Sequence, residues 1–161
     1  MKKVLMISCL LTVWSTPVVS HSQISEQPLE ITISTQQSNV MAGDPIKIAI
    51  RMKNISKHDI TMAAVGSNSQ AELNYEIIAR DKNGGMLYET IYRKGIKRGV
   101  AGSRKLFTLK PGEEITEKAN VNKLYDLSMP GEYTIQVEKE LPPSEGKGMI
   151  KSNTITVTVT P

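Results

Sequence analysis

Ser56, His58 and Asp59 fall within one short stretch, Asn54 to Thr61, of a 161-residue chain. These residue types can form a hydrolase relay, in which the imidazole takes the serine proton and the carboxylate orients the ring. A relay also needs spatial convergence and an oxyanion hole, and three near neighbours on one turn supply neither. A zinc hydrolase site needs two or three nitrogen or sulfur ligands. The chain has only one other histidine, His21, and one cysteine, Cys9, both near the start. Glu113, Glu114 and Glu117 are the next candidates, since glycoside hydrolysis uses paired carboxylates. That chemistry places its two acids across a cleft. Here Glu113 alternates onto the same face as Ile115 and Glu117, which reads as solvated surface acid. Asp81-Lys82-Asn83-Gly84-Gly85 opens like a calcium loop but lacks the spaced carboxylates and the distal glutamate. No glycine-rich phosphate loop precedes a helix. The expectation is a chain that is not an enzyme and uses no cofactor and no metal.

The most polarised segment is Tyr92 to Lys105, "YRKGIKRGVAGSRK". Arg93, Lys94, Lys97, Arg98, Arg104 and Lys105 have no acid among them. Gly95, Gly99 and Gly102 make it read as a flexible loop. It is either a solvated connection or an anion- or partner-binding loop facing acidic polysaccharide, lipid headgroups or an acidic protein patch. Leu141 to Met149, "LPPSEGKGM", is a second long loop, joining the last two strands. Asn54-Ile55-Ser56 fits a glycosylation acceptor, read here as a chance match.

The elements that would hold these loops are strands. Leu29, Ile31 and Ile33 alternate with Glu30, Thr32 and Ser34, a period of two that marks a strand buried on one side. Ile46, Ile48, Ile50 and Met52 repeat the pattern, with Lys47, Arg51 and Lys53 facing out. Gly43-Asp44-Pro45 punctuates the turn between them. Leu73 to Tyr92 predicts a hairpin around Asn83-Gly84. Two strands flank Lys110-Pro111-Gly112. In the last strand, Ile155, Val157 and Val159 share one face and Thr154, Thr156, Thr158 and Thr160 the other. Seven to nine short strands, no amphipathic helix and turns every 8 to 12 residues or so predict an antiparallel β-sandwich, with a closed barrel as the alternative.

Leu109 to Lys139, "LKPGEEITEKANVNKLYDLSMPGEYTIQVEK", supplies a more specific sign. Tyr133 after Gly131 matches a tyrosine corner, whose hydroxyl bonds back to the preceding backbone. Asp126 is placed to cap the intervening loop. The same stretch, with Ile150 to Val159, resembles the end of the immunoglobulin-like, non-catalytic N-terminal domain of deuterolysin-type lysine-specific metalloendopeptidases. The resemblance implies an immunoglobulin-like fold. It implies no proteolysis, because the His-Glu-x-x-His helix of those enzymes is missing.

The first residues carry Lys2 and Lys3, an apolar run to Val19 and then small residues, the layout of a secretory signal peptide. Residues 1–22 are therefore expected to be removed, 23–28 to form a flexible leader and 29–161 the sandwich domain. Cys9 and Trp14, each the only one of its kind, would leave with the signal. About 140 residues remain, enough for one core and short for two. The expected place is secreted or periplasmic, with no integral membrane span after cleavage. A formal charge of +4 is too mild to suggest a nucleic-acid partner. Taken together these readings predict an exported binding or accessory module for a protein or polysaccharide of the cell envelope. The alternatives are a proteinase inhibitor presenting a loop, and a subunit of a surface assembly that offers Ser152 to Thr160 as an edge strand.

Overall fold

The computed structural model describes residues 27–65, 71–98 and 104–161. The expected signal peptide lies outside them. Three strands form one sheet: β1 (Leu29–Thr35), β3 (Lys47–Asn54) and β7 (Glu114–Asn120), in the order β1-β3-β7. The second sheet runs β2 (Asn39–Met41), β10 (Ile155–Thr160), β8 (Gly131–Glu140) and β5 (Glu76–Asp81). A short β9 (Met149–Lys151) pairs with the far half of β8. A separate ribbon joins β4 (Ile60–Val65) and β6 (Arg104–Leu109). Every ladder is antiparallel except β2 on β10, which is parallel.

Alternation decides which side of each strand is buried. Leu29, Ile31 and Ile33 of β1 and Ile48, Ile50 and Met52 of β3 all face inward. Ile77 and Ala79, Tyr133, Ile135 and Val137, and Val157 and Val159 meet them from the other sheet. Each fully buried aliphatic side chain contributes about 1.5–3 kcal/mol. Two sheets packed on one apolar layer, with the chain switching sheets between β1 and β2, make an immunoglobulin-like β-sandwich.

The strand that follows β8 is broken. At Ser152 and Asn153 the chain leaves β8 and then returns as β10. The Ser152 hydroxyl accepts from Val137 N at 2.9 Å. The Asn153 amide bonds both backbone groups of Ile33 on the outer edge of β1, accepting at 2.8 Å and donating at 3.0 Å. One side chain thus links the sheets and satisfies an edge that no strand covers among the described residues.

Three expectations need correction. The run Met86 to Tyr92 is not the second strand of a hairpin. It makes two isolated bridges, Arg80 with Met86 and Glu89 with Tyr125, and then enters a helix, α2 (Ile91–Lys97). Gly84 does take the positive φ, 78°, that its turn requires. A second short helix, α1 (Ala71–Asn74), precedes β5. Both helices are too short for a repeated apolar stripe, so periodicity could not reveal them. The terminal strand is no free edge, because β10 lies between β2 and β8 and Thr158 N bonds Ser38 O at 2.7 Å. The leader is also tied in at its end, where Pro28 O accepts from Ile55 N at 3.0 Å.

Candidate functional site

The excursion from Met86 to Arg98 separates the predicted basic residues. Thr90 caps α2, its hydroxyl accepting from Arg93 N at 3.1 Å. Arg93 points inward and is 2% exposed. Its guanidinium pairs with the Glu76 carboxylate, lies 3.7 Å from Glu89 and donates to the Tyr125 hydroxyl at 3.1 Å. It also stands 5.2 Å from the centre of the Tyr125 ring. The Tyr125 hydroxyl in turn donates a hydrogen bond to Ile77 O at 2.9 Å. Arg93 is therefore an internal clamp, which corrects its placement on a flexible anion-binding loop. A buried cation is tolerated here because two carboxylates and an aromatic ring surround it.

The clamp turns the remaining cations of α2 outward. Lys94 and Arg98 are exposed, and Lys97 pairs with Glu89. That pair is the main reason the Glu89 carboxyl is held below its usual range. Arg104 and Lys105 are exposed at the start of β6, across from Val65 and Ala64. Gly99 and Gly102 lie outside the described residues.

The corner residues are near the end of the sandwich that α2 enters. The Tyr133 hydroxyl donates to Met129 O at 2.6 Å, four residues upstream, the bond that defines a tyrosine corner. Gly131 lies against the Tyr133 ring, and a Cβ there would stand 3.8 Å from it. Asp126 accepts from Ser128 N at 3.1 Å, and the hydrogen bonds from Ser128 keep its exposed carboxyl below the ordinary value.

Three other candidates have structural roles. The Ser56 hydroxyl bonds Asn54 Oδ1 at 2.7 Å and His58 O at 3.0 Å, so it faces backbone and amide rather than the imidazole. The His58 ring meets Glu145 at 3.0 Å and ties the corner before β4 to the Leu141–Met149 loop. Asn54 is wholly buried, and its Nδ2 donates to His58 O and Leu109 O at 2.8 Å each. An amide engaged in this way is inaccessible to a glycan. Glu113 caps Lys110 N at 2.9 Å, and Glu114 pairs with Arg51 at 3.4 Å.

Glu117 departs from the surface expected of it. It points inward, is 8% exposed and accepts from Asn74 at 3.4 Å. Beside it Lys139 donates to Asn74 O at 2.8 Å and stands 4.7 Å above the Tyr75 ring. Burial pushes Lys139 below its ordinary value, with Glu117 opposing. These groups form a polar seam between the sheets beside α1. Alternation grouped Glu117 with Ile115, yet the acid was read as solvated, and no sequence signal identified Tyr75 or Lys139 as its company.

Concavities open on the surface of the described residues, two of them near the elements above. A cleft of about 560 Å³ lies where β1 gives way to β2, lined in part by Gln36, Gln37, Lys47 and Lys118. A hollow of about 410 Å³ sits at the tyrosine-corner end, between the Gly43 turn, Tyr88 to Ile91 and Tyr125 to Ser128.

No family model matches the chain, and none of the curated proteins does. Solved structures are similar in outline. The β-glucosidase of Listeria innocua, in complex with glucose, aligns with 83% of this chain at 14% identity and a TM-score of 0.44. The chain spans only 16% of that enzyme. A CARDB domain from Pyrococcus furiosus aligns with 82% of this chain and 87% of its own, at 14% identity and a TM-score of 0.45. A PapD-like domain of human CEP192 aligns over 98% and 94%, at 11% identity and a TM-score of 0.31.

Proposed function

We propose that the chain is an exported, non-catalytic binding or accessory module that meets an anionic partner of the cell envelope, protein or polysaccharide, through Lys94, Arg98, Arg104 and Lys105. The observation that carries this reading is the Arg93 clamp. A seven-residue helix has little intrinsic stability, yet this one is pinned to β5 and Tyr125 by a buried guanidinium. Its outer face then holds cations in place over solvent. Charge so displayed attracts opposite charge over distances on the order of 10 Å at physiological salt. The resemblance of Leu109 to Lys139 to a non-catalytic domain of metalloendopeptidases is in keeping with this role. So are the basic start and apolar run of residues 1–22, which support export.

The test is elution from phosphocellulose along a salt gradient. Replacing Lys94, Arg98, Arg104 and Lys105 together with Ser removes four charges from exposed positions. The variant should elute at clearly lower salt than the wild type, with an unchanged melting temperature. Coincident elution would eliminate the basic surface as the binding face.

A further inference from the structure

The ribbon of β4 and β6 leaves one strand edge open. In an antiparallel pair, alternate residues turn their backbone N–H and C=O groups away from the partner strand. On β4, Val65 is such a residue. Its N donates to Asn74 Oδ1 at 2.7 Å, and its O accepts from Asn74 Nδ2 at 3.3 Å. Arg104 stands opposite Val65, Leu106 opposite Ala63 and Thr108 opposite Thr61. These three residues of β6 therefore point their backbone groups away from β4. Among the described residues no strand pairs with that side of β6. Arg104, Lys105, Leu106 and Thr108 are all exposed, Leu106 to 75%. The open stretch ends at Lys110, whose N–H is taken by the Glu113 carboxylate at 2.9 Å.

The other edges are blunted, as sheet edges in folded proteins are. Asn153 occupies both backbone groups of Ile33 on β1. The Tyr125 hydroxyl holds Ile77 O on β5, and Asn74 closes the end of β4. Glu72 accepts from Asn120 N at the end of β7, and Glu114 and Lys118 put charges along that strand. β2 and β9 are three residues each. The edge of β6 has charge at one end only, and of one sign. The ribbon carries Arg104 and Lys105 and no acid. Neither cation has a carboxylate within ion-pair distance among the described residues. A second copy would bring the same cations to the edge, and a polysaccharide has no strand to pair. An extended acidic polypeptide satisfies both the backbone groups and the charge.

We propose that β6 takes up an extended acidic polypeptide segment as an added strand. The backbone of the segment bonds Arg104, Leu106 and Thr108. On the outer face of the ribbon one of its carboxylates meets Arg104, and an aliphatic side chain two residues along lies against Leu106. A carboxylate between them reaches Lys105 on the other face. This rests on the reading of Arg104 and Lys105 as part of a partner-binding surface. It names that partner as a polypeptide strand.

The test pans a library of random 12-residue peptides against the full protein and titrates the enriched peptides by fluorescence anisotropy. They should carry an acid and an aliphatic residue at alternate positions. Leu106→Pro removes an outward N–H and no bond to β4, a change that edge strands accommodate. It should weaken the peptides at least tenfold. Arg104→Ser should weaken them several-fold and flatten their salt dependence, and Lys94→Ser should change nothing. Amide hydrogen exchange asks the same question of the wild type. The N–H groups of Leu106 and Thr108 should exchange fast in the free protein and slow down when peptide is added. The proposal is overturned if no peptide is enriched, if those two N–H groups are already protected in the free protein, or if added peptide leaves them fast. Self-association in sedimentation that Leu106→Pro abolishes would overturn it too, by making a second copy the occupant. The basic surface is judged separately, because Leu106→Pro keeps all four cations and should elute from phosphocellulose with the wild type. Peptides that track Arg104 but ignore Leu106→Pro would remove the added strand and leave the basic surface standing.

Discussion

The Tyr75 hydroxyl is buried without a hydrogen-bond partner among the described residues. Burial, reinforced by Glu117, pushes its ionisation far above the usual tyrosine value. Above pH ~10 the unfolded tyrosine gives up its proton and the folded one keeps it. The unfolded state then binds fewer protons, so stability falls as pH rises. Tyr125 and Tyr133 shift in the same direction, chiefly through burial. Tyr75→Phe removes one of these three terms together with an unsatisfied hydroxyl. At pH 7 the substitution should be neutral, or stabilising by up to about 1 kcal/mol. Above pH ~10 the gap between variant and wild type should widen by up to about 1.4 kcal/mol per pH unit. Urea unfolding at pH 7, 10 and 11 measures both, and parallel pH profiles would refute the account. None of this was readable from the sequence, in which Tyr75 is one of five tyrosines and its contacts come from β7 and β8.

Among the elements, α2 depends on one side chain. Arg93 reaches Glu76, Glu89 and Tyr125 from inside, whereas Lys94, the next residue, is exposed. Arg93→Ala should cost about 2–4 kcal/mol, toward the lower end of what breaking a buried pair costs because Glu76 is half exposed. Lys94→Ala should stay within about 0.5 kcal/mol. Chemical denaturation of the two variants side by side would show the contrast, and equal effects would dismiss the clamp. The basic run was legible as composition, but which of its cations points inward was not. Gly95 and the flanking glycines gave the run the look of a loop. The helix exists because the Thr90 cap and the Arg93 pairs outweigh that propensity.

For the whole molecule, the layer between the sheets is the source of stability. The one cysteine cannot form an intramolecular disulfide, so melting should be the same with and without dithiothreitol. Ile50 lies on the central strand β3, wholly buried. Ile50→Ala should cost about 2–5 kcal/mol, read as a fall in the urea midpoint without a change in slope. A smaller loss would mean that the two sheets are not held by this shared layer.

The alternation of β1, β3, β8 and β10 was written in the chain, because a strand with one wet face repeats every two residues whatever it packs against. The turns at Gly84 and Gly112 were equally plain, since only glycine takes their positive φ cheaply. The corner at Tyr133 could be anticipated from its neighbours in sequence, since its bond spans four residues. The tertiary structure alone decided what depends on distant partners. It folded Arg93 onto Glu76, turned Glu117 toward Lys139, placed β10 between two strands and brought Gly43, Tyr88 and Ser128 around one hollow. Those outcomes follow from which segments close on which others, and a local pattern holds no record of a contact made outside its own element.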